Sequence, residues 1–510
     1  MSTAEKASWG LLNLLVLLCL QTTLCHAAPQ LAWEARHNFG LLSGTHQVVA
    51  MTLDNAGDII IAGNKANASG DLDYAVLKYS QSGTQLWART YSSGLQANDQ
   101  LWAMAVDSNG NVYVTGTSRT VKYNRDGLLQ WVAPYIGQGL AADSNEFVYV
   151  VGPQMGIQNT DFRTVKLSPE GTNVWLRTFD RGLANDFAQV VALGPAGEVY
   201  TGGIVAWACD RFTCYVWFEL VKYDADGNQL WARDFDGDFG FLNSYSSLLK
   251  KLVVLDSNRI YAGGSFKGQG NTYSVTMLDA PGTNQWHFAT GGSDEGMTSM
   301  VVSPSGEVYM TGGVFALSAY RIFCTTMALN TNGTLRWSKD YDPTPTVQSY
   351  NRGNGIALDP LGNVFVTGQS APTYGFPVFD FLTIKYDNDG HELWTKRYNG
   401  PANGSDIPVA IAVTPDGGIF VAGTSANTNG GTDITLIKYV DIQNIQLLSK
   451  GAVLLQFPAS PGQSVRFQAS ANLTNWQDIA TVTASPEGIA RYTDATVSKY
   501  PHRFYRLAVP

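Results

Sequence analysis

Ala103-Met-Ala-Val-Asp107-Ser-Asn-Gly110-Asn-Val-Tyr-Val-Thr-Gly116 reads as two short strands joined by a tight turn. Asp107 closes the first strand, Gly110 stands where the turn needs positive φ, and Val112-Tyr-Val-Thr is β-branched and aromatic. The pattern returns in Gly355-Ile-Ala-Leu-Asp359-Pro-Leu-Gly362-Asn-Val-Phe-Val-Thr-Gly368 and in Ala410-Ile-Ala-Val-Thr414-Pro-Asp-Gly417-Gly-Ile-Phe-Val-Ala-Gly423. A second signature alternates with it: Tyr79-Ser-Gln-Ser-Gly83-Thr-Gln-Leu-Trp87, Tyr223-Asp-Ala-Asp-Gly227-Asn-Gln-Leu-Trp231 and Tyr386-Asp-Asn-Asp-Gly390-His-Glu-Leu-Trp394. Trp33, Trp87, Trp131, Trp175, Trp231, Trp286, Trp337 and Trp394 follow one another at spacings of 44 to 57 residues. A period of that size marks a repeat architecture.

Each unit holds four strands, in one case Trp102–Val106, Asn111–Thr115, Thr120–Tyr123 and Leu129–Ala133. Runs such as Val112-Tyr-Val-Thr and Ile59-Ile-Ile-Ala are apolar on both faces, so each sheet must be covered on both sides. Sheets that all cover one another in a closed circle form a β-propeller. The second strand of the unit occurs eight times, at Ile59, Val112, Val148, Val199, Ile260, Val308, Val364 and Ile419. The first copy of the fourth strand, Leu31-Ala-Trp33-Glu-Ala-Arg36, precedes the first unit, and the last unit stops after Thr435–Tyr439. The expectation is an all-β, eight-bladed propeller over 30–440, closed by its N-terminal strand. Seven blades is the alternative, because only 12 residues separate Trp131 from Asp143 where 20 separate Trp87 from Asp107.

On these residues the chain resembles bacterial β-propeller repeat proteins of the SBBP type, often described as seven-bladed. The resemblance rests on Val-Lys-Tyr with the Gly-x-x-Leu-Trp turn and on the Ala-Val-Asp-x-x-Gly-Asn-Val-Tyr-Val-Thr-Gly hairpin, and it covers 30–440. It implies a fold and an extracellular setting, with no shared reaction and no catalytic residues. The Gly-x-x-Leu-Trp turn is also similar to repeats of quinone-dependent alcohol dehydrogenases. The Thr-Gly that usually precedes the Trp there, and the adjacent cysteines, are missing here.

Composition agrees with many short strands. Only 15% of residues are charged and 52 of 510 are Gly, against about 25% and 7% in ordinary domains. The net charge of −9 and the lack of a Lys/Arg stripe argue against nucleic acid and anionic membranes. Residues 1–27 read as a signal peptide: Lys6, the apolar run Leu11–Leu20, and Cys25-His-Ala27 before cleavage. The expected location is therefore secreted, periplasmic or cell-surface, without a membrane span. Of five cysteines, Cys209 and Cys214 are close enough in sequence to close a small disulfide loop, with two free thiols as the alternative, and Cys324 is odd and buried in a strand. Residues 442–510 leave the repeat and read as a small β-sandwich with Trp476 in its core, similar to fibronectin-type-III appendages.

The two kinds of long, variable connection, fourth strand to next first strand and second strand to third, fall on one face of the ring. Function on a rigid scaffold sits on such loops. The ligand-binding candidates there are Trp207, Trp217, Tyr245, Tyr320, Tyr350 and Tyr374, with the carboxylates Asp99, Asp186, Asp294 and Asp406. An aromatic ring beside an acid suits a sugar or a peptide; packing between loops is the competing reading. Asp234-Phe-Asp-Gly-Asp238-Phe-Gly240 departs from the calcium-loop pattern at Phe239 and Tyr245, so no metal site is assigned. No cofactor is expected. No Gly-x-Ser-x-Gly elbow occurs. The leading expectation is a monomeric, non-enzymatic scaffold that binds an extracellular polysaccharide or protein. The alternatives are a polysaccharide hydrolase or lyase with axial carboxylates, and an envelope assembly scaffold.

Overall fold

A computed structural model describes residues 29–508, apart from 95–96, 156–159, 182–184, 210–213, 235–247, 268–270, 291–295, 317–319, 344–347, 374–376, 415–416, 441–444, 448–451, 459–461, 473–474, 486–488 and 501–502. Residues 1–27, read above as a signal peptide, lie outside the described residues. The chain divides into two compact units, one of them Trp33–Lys438.

Over 30–440 the strands fall into successive four-stranded antiparallel sets, here sheets 1 to 8: 47–91, 101–133, 139–179, 187–234, 248–289, 296–341, 350–398, and 406–440 completed by Gln30–His37. Sheets 6 and 7 share one parallel pair, Ile322 opposite Tyr350. The first strand of every sheet touches the first strand of the next, and the cycle closes from sheet 8 back to sheet 1. These first strands are therefore innermost. The second and third strands are almost wholly buried, as in Val112–Gly116 and Thr120–Tyr123. Their side chains form clusters between neighbouring sheets. One joins Ile60, Val76 and Trp87 to Val112, Val114 and Val121; another joins Tyr200 and Leu220 to Leu249, Leu252 and Ile260. Apolar residues on both faces are thus explained by two neighbours.

The repeated Trp has a repeated task. From Trp33 to Trp337 each indole N–H donates to a carbonyl in the third-to-fourth-strand turn of the following sheet, among them Trp87 to Arg125 at 3.1 Å, Trp131 to Pro169 at 2.8 Å, Trp175 to Ala225 at 3.1 Å and Trp337 to Asn388 at 3.0 Å. The Lys of Val-Lys-Tyr, or of Val165-Lys-Leu167 in sheet 3, lies opposite that Trp, as Lys122 does opposite Trp131 and Lys166 opposite Trp175. It reaches the same carbonyl, Lys122 to Pro169 and Lys166 to Ala225. The turn Gly lets the indole lie flat against the backbone. At Gly127, φ is +76° and a Cβ would stand 2.7 Å from the Trp87 ring. The Gly-x-x-Leu-Trp signature is thus half a clasp, completed by its neighbour. In sheet 3 the first turn has Glu146 at φ 65° where six other units have a positive-φ Gly, and sheet 5 turns through Asp256–Arg259 without one. The Glu146 carboxylate meets Lys122 at 2.6 Å.

The N-terminal strand occupies the fourth position of sheet 8 and carries the clasp forward, since Trp33 donates to the Gln81 carbonyl of sheet 1 at 3.3 Å. Arg36 fastens it to sheet 8 through Asp433 at 2.9 Å, Ser425 at 2.8 Å and the Ala426 carbonyl at 2.8 Å. Arg36 also bonds Tyr398 of sheet 7 at 3.1 Å, and the Tyr398 hydroxyl donates to Glu34 at 2.6 Å.

One feature is not written in the repeat pattern. Seven of the eight innermost strands carry a β-bulge, whose extra residue is Val49, Trp102, Gln189, Lys250, Thr298, Asn354 or Val409. Three polar bulge residues bridge to the next innermost strand. Gln189 accepts from the Leu249 amide at 2.8 Å, Thr298 donates to Gly353 at 2.6 Å, and Asn354 donates to Pro408 at 2.7 Å. Bulges increase local twist and re-aim side chains, which suits strands packed around an axis.

The second unit includes 439–510. Two three-stranded sheets there share a core of Val453, Leu455, Val465, Phe467, Ala484 and Ala490. Trp476, expected to anchor that core, is only half-buried. Phe467, fully buried on a central strand, takes that place.

Candidate functional site

The two variable loop sets are stitched together on one face. Asp99, Asp186 and Asp406 each end a loop that leads into a new sheet. Their amides donate to the carbonyls of Leu72, Thr160 and Phe379, at the start of the preceding sheet's third strand, over 2.6 to 2.7 Å. The residue just before adds a second stitch: Asn98 accepts from the Leu72 amide and Asn185 from Thr160.

The side chains of these three Asp turn back into their own loops. Asp99 accepts from the amide and hydroxyl of Ser93 at 2.5 and 2.7 Å. Asp186 accepts from the Arg181 amide at 3.1 Å. Asp406 accepts from the Gly400 amide at 2.6 Å and from the Ser425 hydroxyl. All three are at most 1% exposed and lead into different sheets. Burial raises the Asp406 pKa, and the Gly400 amide and Ser425 hydroxyl partly offset it.

Of the aromatic candidates, Tyr320 is exposed, at φ 50°, with its ring edge-on to Phe315. Tyr350, the first residue of an innermost strand, packs against Phe379 of the connection before the third strand of the same sheet, at 5.1 Å between ring centroids. Trp207 and Trp217 lie at the far end of the Val199–Cys209 and Cys214–Tyr223 hairpin, where only the backbone is described. In the same hairpin Cys209 stands directly opposite Cys214 in register. Tyr245, Tyr374 and Asp294 lie outside the described residues. Cys324 is a buried free thiol.

A titratable group that the sequence pattern did not mark lies behind this face. Glu219 is fully buried in the third strand of sheet 4, at a position where sheet 1 has Ala75. Arg181 of the loop that ends in Asp186 donates to it at 2.8 Å. Burial nevertheless outweighs that guanidinium, and with Asp234 and Asp186 nearby the carboxyl pKa is pushed up to about 7. The signal available in the sequence was one acidic residue inside an otherwise apolar strand.

This carboxyl gives a testable pH dependence. Its folded pKa lies above its unfolded value, so the folded state holds the proton more tightly. The resulting stability is complete below about pH 4 and is lost as pH rises towards 7. The loss should reach on the order of 3 kcal/mol. Glu219→Gln is expected to remove this component between pH 4 and 8, as measured by urea unfolding. An unchanged slope would contradict it.

Among the described residues no helix is long and apolar enough to cross a membrane, and no group of three or more His, Cys, Asp or Glu is placed to hold a metal.

Residues 89–119 match the family model described as a beta-propeller repeat, SBBP. No curated protein matches the chain. Among solved structures, a Bacteroides caccae protein of unknown function is 10% identical, with 70% of this chain and 94% of that chain covered, at a TM-score of 0.32. The WD40 domain of SCAP from fission yeast is 9% identical, with 81% and 98% covered, at 0.42. The WD40 domain of Toxoplasma gondii coronin is 8% identical, with 82% and 89% covered, at 0.40.

Proposed function

We propose that this β-propeller, which carries the SBBP repeat, is a non-enzymatic binding scaffold of the cell exterior that takes a polysaccharide or protein on its variable loop face. One observation carries the reading. Asp99, Asp186 and Asp406, the acids best placed by sequence for acid–base chemistry, each bond donors of their own loop and lead into separate sheets. A glycosidase needs two carboxyl groups about 5–10 Å apart across one substrate, with lone pairs left for it. A rigid ring with loops tied to one another offers a pre-formed surface instead, which lowers the entropic cost of binding. The small sheets of 445–508 are an accessory module in this reading.

The test is a glycan array together with an assay for polysaccharide cleavage on the purified protein. Binding without cleavage is expected. Reducing-end release that disappears in Asp406→Asn but survives in a folded Tyr320→Ala variant would overturn the proposal.

A further inference from the structure

Among the described residues the eight innermost strands carry five charged side chains: Lys250, Lys251, Asp256, Arg352 and Asp406. The two acids lie at strand ends and are occupied. Asp256 is the last residue of Leu248–Asp256 and holds Arg259 at 2.7 Å. Asp406 is the first residue of its strand and accepts the Gly400 amide and Ser425 hydroxyl. The interior positions therefore carry cations alone, in a chain whose net charge is −9.

Lys250 and Arg352 are each the third residue of a nine-residue innermost strand, Leu248–Asp256 and Tyr350–Leu358. Both sit just inside the end from which the variable loops rise. Their sheets, 5 and 7, are separated by sheet 6, yet the Arg352 charge bears on Lys250. Lys250 and Lys251 remain open to solvent but are closely surrounded, and this loss of hydration lowers both ammonium pKa values. Among the described residues neither lysine makes an ion pair. Like charges on one inner ring of strands oppose folding, while a low-dielectric opening of one sign concentrates ions of the other.

We infer that the axial opening on the variable-loop side is an anion site, in which Lys250, Lys251 and Arg352 take a carboxylate, sulfate or phosphate group of the ligand. The guanidinium supplies a planar two-point contact and the ammonium groups supply point charges. Trp102, the bulge residue of sheet 2 as Lys250 is of sheet 5, is 37% exposed on the same inner ring. It offers an apolar surface to the body that bears the anion. The inference rests on the binding-scaffold reading and deepens it: the ligand is acidic.

The test is calorimetric titration of the full chain with inorganic phosphate, sodium glucuronate and, as a neutral control, glucose. Saturable binding of phosphate and glucuronate but not glucose is expected. Lys250→Gln and Arg352→Gln should each weaken it at least about tenfold. In anion-free buffer Lys250→Gln should raise Tm by roughly 1–3 °C, because a repelled, dehydrated charge is gone. Lys251→Gln repeats the test if the Arg352 variant does not fold. Phosphate and glucuronate that bind no better than glucose, or variants that bind as the parent does, would overturn the site. A glycan-array signal retained by these variants would leave the scaffold reading standing while removing the axial site. Anion binding without any array signal would do the reverse.

Discussion

A chain that begins at residue 39 is expected to lose its cooperative unfolding transition. The deletion removes the outer strand of sheet 8, the Trp33 clasp on Gln81, and the Arg36 bonds to Asp433, Ser425, Ala426 and Tyr398. It also uncovers one edge of Thr432–Val440 and part of the cluster formed by Phe420, Ile434 and Leu436 with Ile59 and Leu77. The partly buried Trp33 is worth less than the roughly 3–5 kcal/mol of a fully buried aromatic, and each lost hydrogen bond contributes about 0.5–1.5 kcal/mol. The sum is on the order of the whole stability of an ordinary domain, about 5–15 kcal/mol. The free edge is also a template for aggregation. Calorimetry and size-exclusion chromatography read the outcome, and a synthetic peptide of residues 29–38 added in excess should restore part of the transition. A truncated chain that melts within a few degrees of the parent would show that the ring does not depend on this strand.

Trp175→Ala is expected to destabilise the protein by about 3–5 kcal/mol. The indole is 6% exposed, lies 6.3 Å from Tyr149 of its own sheet and 6.0 Å from Tyr223 of the next, and donates to the Ala225 carbonyl at 3.1 Å. Its loss leaves a cavity between two sheets and weakens the hold of Lys166 on the same turn. Leu230→Ala is the control, because Leu230 is about half exposed on an outer strand and should change stability by less than about 0.5 kcal/mol. Equal effects of the two substitutions in urea titrations would contradict the clasp.

The scaffold was legible because its physics repeats. Eight copies of an apolar run bounded by Gly mark buried strands, and the leading Leu31–Arg36 segment without a unit of its own points to a strand used elsewhere. The Trp positions were readable as structural, but their partner was not. An indole N–H that reaches the next sheet's turn joins residues 38 to 51 apart, and no local pattern reports that contact. The site was less legible for the same reason. Asp99, Asp186 and Asp406 stood out by recurrence, and recurrence reflects what every unit needs, which is loop capping. Lys250 and Arg352 stood out in nothing, because their meaning depends on which strand lines the axis and on a bulge that changes side-chain parity. Glu219 likewise reads as one acid in an apolar strand until its burial is known. Trp476 misled because a large aromatic in a short module is usually its anchor, whereas here Phe467 on a central strand fills the space.

Backbone hydrogen exchange on the full chain tests the central claim most directly. If the leading segment is the fourth strand of sheet 8, amides of residues 30–37 will be protected to the level of another fourth strand such as Gln85–Tyr91, and those of 432–440 as strongly as a strand paired on both sides. Complete exchange of 30–37 within seconds, with 432–440 behaving as an open edge, would contradict the closed ring.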